Sequence, residues 1–498
     1  MSCTTILVGK NVSYDGSTMV ARNEDSPSGQ FTPKKFVVVD PKNQPRKYKS
    51  VISKVEIDLP DNPMRYTCMP NAVAGEGIWG AFGVNEKNVS MTATETLTTN
   101  ERVLAADPLV IYEKEQGTKG EKNYVPEKFG GIGEEDMVSI TLPYISSARD
   151  GVKRLGSLLE EFGTYELNGI AFQDQTEIWW LETVGGHNWM ARRVPDDKYV
   201  IMPNQLGLDY FDFDDAYGDE KEFMCSKNLK PLVEKFHLDL SLDGKFNPRD
   251  AFGSHSDTDH AYNTPRSWVL MRFFSPSAAK WDGCNADYNP ESNDIPWMNT
   301  PDRKITVEDI KYALSNHYQG TPYDCYKKDD SPEKNKYRSI GINRNNVMGL
   351  VQIRPYMPDE LKSIEWISLG SNPFNAAIPF YAFVNDTPDY LKNTTGMATT
   401  SDFYWTNRII GALADAHFHD TGAIIGRYQQ KVVALTSKII NDTDAEFVIN
   451  KPADAQKFLT ETNDRIAKIA KEETDKLLNE VLYVASNKMK NGFALSDA

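Results

Sequence analysis

The chain has 498 residues, with 71 Asp and Glu against 55 Lys and Arg, for a formal charge of −16. Hydrophobic residues make up 40 % and charged residues 25 %, which excludes a disordered, collagen-like or coiled-coil chain. The acidic balance argues against nucleic acid as a partner, because phosphate binding demands clustered Lys and Arg. No apolar run approaches the roughly 18 residues that a membrane span needs. The start, MSCTTILVGK, has neither a basic region nor a long apolar core, so no signal peptide is expected. Five cysteines, Cys3, Cys68, Cys225, Cys284 and Cys325, are scattered and odd in number. Neither a disulfide framework nor a zinc ribbon is expected, and a reducing, cytoplasmic location fits best.

In chain order, the first 200 residues predict mostly strands. TTILVGK, STMVARNE and KKFVVVD are short, β-branched runs bounded by Gly, Asp, Ser or Pro. GIWGAFGVNEKNVSMTATET predicts two strands around a turn at Asn85 to Lys87. LNGIAFQDQTEIWWLETVGGHNWMARRV predicts three strands, with turns at Asp174 to Thr176 and at Gly185 and Gly186. Such short connections imply antiparallel hairpins. Between these segments Val152, Leu155, Leu158 and Leu159 carry helical spacing. Residues from about Asp209 to Asp330, rich in Asp, Asn, Pro and aromatics, predict an irregular, loop-heavy middle. NNVMGLVQIR, IEWISLG and PFYAFV then predict further strands, and the remainder predicts long helices. With no linker and no internal repeat, one α+β domain over 1–498 is expected, with about 401–490 as a helical elaboration of it.

Cys3 is the first residue with reactive potential. An early cysteine is most often a small buried residue. If Met1 and Ser2 are removed, however, its thiol and the free α-amino group form a nucleophile and a base within one residue. Their ordinary pKa values, about 8.5 and about 7.7–8.0, both lie near neutral pH. Ala21-Arg22-Asn23-Glu24-Asp25 ends the next predicted strand. Alternation puts Arg22 and Glu24 on one face and Asn23 and Asp25 on the other. Arg22 can favour a thiolate, and a terminal bend would let Asp25 hold the α-ammonium group. A solvated hairpin end is the competing reading of the same residues.

Cys3 opening a strand, the turn at Gly16 and then ARNED together resemble the cysteine dipeptidase family of the N-terminal nucleophile hydrolases. That family is related to bacterial dipeptidase A and, more distantly, to secernins, penicillin V acylase and bile salt hydrolase. GVNEKNVSMTATE and MPNQLGLD resemble two further family segments, and the resemblance runs through the whole chain. It implies an α+β fold with a four-layer αββα sandwich, and a cysteine-type, metal-independent and cofactor-free dipeptidase. The implied substrates are dipeptides, cleaved through a thioester after autoprocessing. It also allows a homo-oligomer. It assigns Cys3 as nucleophile, Arg22 and Asp25 to the RNxD pattern, Asn204 as a side-chain donor near the active centre, and Arg266 as a later arginine, with Arg272 as competitor for that place. Asn204 also reads as a turn residue. The acylases carry an oxyanion asparagine where this chain reads Thr92-Ala93-Thr94-Glu95, which leaves a backbone N–H or the Thr94 hydroxyl as donor. Two other readings are an N-acyl amide hydrolase and a catalytically silent, secernin-like protein.

Competing sites carry less. The run His255-Ser-Asp257-Thr-Asp259-His260 holds metal-ligand residue types, but neighbours on one loop rarely converge without partners from elsewhere. His417 and His419, read as lying on one helix, would point to different faces. No metal is expected, and the four later cysteines have no motif partner.

Overall fold

A computed structural model describes residues 3–27, 29–93 and 95–490. The elements that build the frame are, in chain order, β1 (Cys3–Val8), β2 (Thr18–Asp25), β3 (Phe82–Val84), β4 (Ser90–Thr92), β5 (Glu95–Leu97), α1 (Glu134–Thr141), α2 (Ala148–Phe162), β6 (Leu167–Gln173), β7 (Ile178–Val184), β8 (Asn188–Val194), β9 (Tyr199–Met202), β10 (Phe223–Cys225), α3 (Asp257–Phe274), β11 (Met298–Asn299), α4 (Val307–Leu314), β12 (Asn345–Ile353), β13 (Ser363–Leu369), β14 (Ile378–Tyr381), α5 (Phe403–Asp415), α6 (Phe418–Asn450) and α7 (Ala455–Asn487). They form two antiparallel sheets. The first runs β11-β9-β1-β2-β12-β13-β14; the second runs β10-β8-β7-β6-β4-β3, with β5 also pairing β6.

The mixed α and β composition and the antiparallel hairpins agree with the sequence. Every residue of β1 and β2 is buried, because each strand has a neighbour on both edges and packing on both faces. One face of β1 and β2 (Leu7, Val20) shares a core with Ala171, Ile178, Trp180 and Met190 of the second sheet. The other face (Ile6, Val8, Met19, Ala21) shares a core with α3, α4 and the C-terminal helices through Trp268, Leu270, Ile310, Ile410, Ile425 and Ile466. A third core joins Ile170, Phe172, Trp179 and Leu181 to α1 and α2. Helix α2 comes so close that a Cβ added at Gly156 would lie 2.3 Å from Trp189 Cζ2.

Three expectations needed revision. KKFVVVD contributes only Val37–Val39, paired with Tyr66–Cys68 outside both large sheets. The middle is not loop throughout, since it holds the 18-residue helix α3. That helix was hidden because Asn263, Thr264, Arg266 and Ser267 are buried along with its apolar residues, so no simple apolar stripe marks it. Finally, the DAHFH segment is a helix break. Helix α5 ends at Asp415 and His417 stands just before the first turn of α6. The two helices after this break, each of 33 residues, are about 50 Å long and pack through stripes such as Ile425, Tyr428, Val432, Thr436 and Ile440 on α6.

The sheets meet tightly at Gly349 of β12, where an added Cβ would lie 1.9 Å from Phe82 Cε1 on β3. The obstacle is a ring held in the core, not a mobile side-chain tip. Gly349→Ala should therefore destabilise the protein by about 1–3 kcal/mol, measured by urea unfolding. Gly349→Ala combined with Phe82→Leu should recover part of that loss.

Candidate active site

The β1–β2 hairpin sets Cys3 opposite Glu24 and Thr5 opposite Arg22. Strand alternation then sorts the side chains as expected, with Arg22 Nη1 donating to Glu24 Oε2 at 3.1 Å. Asn23 turns the other way, to the Leu314 carbonyl at 2.9 Å and to Asn372 at 2.6 Å.

Cys3 is completely buried, and its three polar atoms each meet a buried side chain. Its sulfur accepts from Arg22 Nη2 at 3.1 Å. Its backbone N–H donates to Asn204 Oδ1 at 3.0 Å, and its carbonyl accepts from Arg266 Nη1. Asn204 follows β9, the strand paired with β1, so sheet register brings it across 201 positions of sequence. Arg266 comes from α3 and also donates to Thr4 Oγ1 and Asn204 Oδ1, each at 3.0 Å, and to Asn263. Arg272 points elsewhere, to Asp282 at 2.8 Å. Four of the five site residues read from the sequence, Cys3, Arg22, Asn204 and Arg266, thus form one hydrogen-bonded group.

The fifth, Asp25, lies beside them with different partners. Strand β2 stays paired through Asp25, opposite Asn345, and a bulge follows on β12 between Asn345 and Val347. No terminal bend swings Asp25 toward the Cys3 nitrogen. Its carboxylate accepts from Arg338 Nη2 and, at 2.5 Å, from Asn345 Nδ2.

Three acidic groups join the site without having been given a role in it from the sequence. Glu134, at the start of α1, accepts from Arg22 Nη2 at 2.6 Å. Glu24 pairs with Lys34 as well as Arg22. Glu95 accepts from Thr5 Oγ1 at 2.5 Å and from Asn204 Nδ2 at 3.3 Å. Acids in the first turn of a helix are common for dipole reasons, so EED at 134–136 carried no special signal. Glu95 stands in the same short segment as Thr94, which lies outside the described residues. On the helix-packed side, the Arg266 and Arg338 guanidinium carbons lie 5.2 and 5.4 Å from the Tyr262 ring centroid.

The electrostatics follow from burial. Desolvation pushes the Cys3 thiol well above its ordinary value, opposed chiefly by Arg22. Desolvation pushes Glu95 up to about 8, with Arg22 and Thr5 opposing. Arg266 is lowered to about 10 by burial and then by the like charge of Arg338.

The HSDTDH run is the entry to α3. Ser256 caps the helix, Asp259 accepts from Asn263, and a His260 ring nitrogen lies 3.2 Å from the Ser254 carbonyl. Among the described residues, the group of metal-ligand type is instead His317, Asp324 and Cys325, whose ligand atoms lie within 4.8 Å of one another. His317 Nδ1 and Asp324 Oδ1 are hydrogen-bonded at 2.7 Å. Cys325 therefore has a histidine neighbour that sequence spacing did not reveal. Among the described residues, no helix is long and apolar enough to cross a membrane.

With this geometry established, similarity places the chain: it belongs to peptidase family C69, whose model matches residues 2–431. It is thus a peptide hydrolase by family, and the resemblance drawn from the Cys3 and ARNED segments is borne out. The chain is 52 % identical to a dipeptidase of Bifidobacterium longum, over the full length of both proteins. It is 49 % identical to a probable dipeptidase A of Streptococcus pyogenes, covering all of this chain and 98 % of the relative. It is 42 % identical to dipeptidase A of Lactobacillus helveticus, covering 96 % of each.

The raised value of Glu95 has a definite sign for stability. The folded state holds the proton more tightly than the unfolded chain, whose Glu titrates near 4.5. Its stabilising contribution is complete below that value and is lost as pH rises through about 8. Glu95→Gln should therefore lose less stability than wild type between pH 5 and pH 8. The difference should be on the order of 3 kcal/mol, read from urea midpoints at the two pH values.

Proposed function

We propose that the protein is a dipeptidase in which Cys3, freed of Met1 and Ser2, is an N-terminal nucleophile. The observation that carries this reading is that the nitrogen, carbonyl and sulfur of Cys3 are each hydrogen-bonded to a buried polar side chain. Any buried backbone N–H and carbonyl need partners; what a cysteine that only fills space does not need is a buried guanidinium at its sulfur. Family membership and relatives named as dipeptidases support the reaction class. The three successive cores support the four-layer αββα arrangement of N-terminal nucleophile hydrolases. The joining of the C-terminal helices to the first of those cores supports a single domain, with 401–490 as its elaboration.

In the proposed reaction the Cys3 amino group takes the thiol proton and the sulfur attacks the peptide carbonyl. The S–C bond forms, the C–N bond breaks, and the amino group passes the proton to the departing amine. Water then cleaves the thioester with the amino group again as base. Arg22 stabilises negative charge on sulfur. Asn204 accepts from the same nitrogen whether it is a peptide N–H or an amine, so the site is formed before and after processing. Arg266 holds the carbonyl end of Cys3. Asp25 acts through Arg338. No metal takes part.

Met1 and Ser2 lie outside the described residues, so processing is tested directly. Mass spectrometry of active enzyme should show a chain beginning at Cys3. Full activity in a chain that keeps Ser2 would overturn the mechanism, because general-base help is worth about 10²–10⁴ in rate. Cys3→Ala should remove about 10³-fold or more of dipeptide turnover without loss of folding. Single substitutions of Cys68, Cys225, Cys284 or Cys325 should retain most of it.

Thiol alkylation should inactivate the enzyme, with dipeptide protecting, whereas EDTA should leave the rate unchanged. Loss of activity in EDTA that zinc restores would count against the thiol mechanism.

A further inference from the structure

Strand alternation divides the charges around Cys3 between the two faces of the first sheet. On the face toward the second sheet, Thr5 and Arg22 meet Glu24, Glu95 and Glu134. On the face toward α3, Thr4 and Asp25 meet Arg266 and Arg338. The first face has three carboxyl groups around two cations, Arg22 and Lys34. Arg22 and Lys34 between them bond Glu24 and Glu134. Glu95 is the carboxyl whose side-chain hydrogen bonds, to Thr5 and Asn204, come from neutral groups. Glu166 stands behind this set, accepting from the Glu134 backbone.

The second face has the opposite balance. Arg266 and Arg338 flank one Tyr262 ring, and Asp25 is the carboxylate bonded directly to either of them. Asp259 reaches Arg266 only through Asn263. Arg338 is nearly buried, with a side-chain exposure of 8 %. Its Nη1 meets the Ser339 carbonyl at 3.3 Å. Its Nε, like that of Arg266, has no hydrogen-bond partner among the described residues. A buried guanidinium with donor capacity to spare, beside a second cation, favours an anion.

We propose that these two charge sets bind the two ends of a zwitterionic dipeptide, with Arg338 taking the α-carboxylate and Glu95 taking the α-ammonium group. The assignment rests on the dipeptidase reading and explains why the substrate would be a dipeptide. In such a substrate the scissile bond is one residue from each charged end, and successive α-carbons are about 3.8 Å apart. A nucleophile at the end of β1, with opposite charges on the two faces of its sheet, matches that layout. A longer peptide would place an uncharged amide at one of the two anchors and leave a buried charge unanswered. Asp25 is then a positioning residue, which holds Arg338 in place. Glu95 has two carboxylate oxygens with about four acceptor sites, so an ammonium group can join Thr5 and Asn204. Bringing that cation beside Glu95 would also draw off the proton that burial helps it keep.

The test compares one good dipeptide with its C-terminal amide and its N-acetyl derivative. In wild type, kcat/KM should fall about 10- to 100-fold for each blocked substrate. In Arg338→Met the preference for free acid over amide should collapse, while the preference for free amine over N-acetyl stays. Glu95→Gln should do the reverse. Arg338→Met leaves Asp25 unpaired and can cost folding, so Asp25→Asn with Arg338→Met, which removes both charges, repeats the measurement. Collapse of the acid-over-amide ratio in the double variant supports the assignment. Retention of that ratio in a folded double variant, or equal turnover of all three substrates by wild type, overturns it. Wild-type inactivity on every dipeptide overturns the dipeptidase reading and the assignment together, whereas turnover indifferent to terminal charge overturns the assignment alone.

Discussion

The interaction on which the site depends is the burial of Arg22 against the sulfur of Cys3. A guanidinium removed from water is costly unless its donors are matched. Here Arg22 is matched by Glu24, Glu134, the Ala81 carbonyl and the sulfur itself. These partners come from its own strand, from the start of α1, from the turn before β3 and from β1. Glu24 and the sulfur belong to the same hairpin as Arg22, but the Ala81 carbonyl and Glu134 reach it only when the second sheet and α1 have packed against that hairpin. The requirement to match one buried cation therefore ties the local geometry of Cys3 to completion of the fold. The same tie makes the geometry stiff, because moving any one partner leaves a charge unanswered in a dry interior.

Topology supplies the rest. Strand β1 is central, between β9 and β2, so residues that follow β9 lie beside the start of β1. That is how Asn204 reaches the nitrogen of Cys3. Helix α3 crosses the opposite face and carries Asp259, Tyr262, Asn263 and Arg266 at three- and four-residue spacing, hence on one side. The bulge on β12 shifts register just where β2 ends, and Asn345 there takes one oxygen of Asp25. Asp25 and Arg22 are three residues apart in a fully paired strand, so they act on opposite faces of the sheet. One motif thus serves two chemically different environments.

What was legible in the sequence follows from which signals are local. The strands showed because β-branched runs between turn residues are a local pattern, and Arg22 followed from alternation within one strand. Cys3, Asn204 and Arg266 were read by resemblance, and the geometry gathers them. The illegible parts share a cause. Helix α3 buries polar side chains on purpose-built partners, which erases its apolar stripe. Glu95, Glu134, Tyr262 and Arg338 gain meaning only from contacts with residues far away in the chain. Asp25 was read with the right face, but its bond to Arg338 was not legible, because Arg338 sits in an irregular segment with no pattern of its own.

Burial has a further consequence for Cys3. Burial pushes the Cys3 thiol up, opposed chiefly by Arg22, and so favours the protonated sulfur. A thiol in that state is a poor nucleophile. Reactivity then requires a base at the sulfur, and in the mechanism proposed above that base is the amino group that cutting the preceding peptide bond would create. Before cleavage the Cys3 nitrogen is an amide with no basicity to lend. In the proposed mechanism the same nitrogen, after cleavage, would lend it to a sulfur already set against Arg22. On this account the charged partners are in position from the moment of folding, and a single bond cleavage supplies the missing proton acceptor without rebuilding the site.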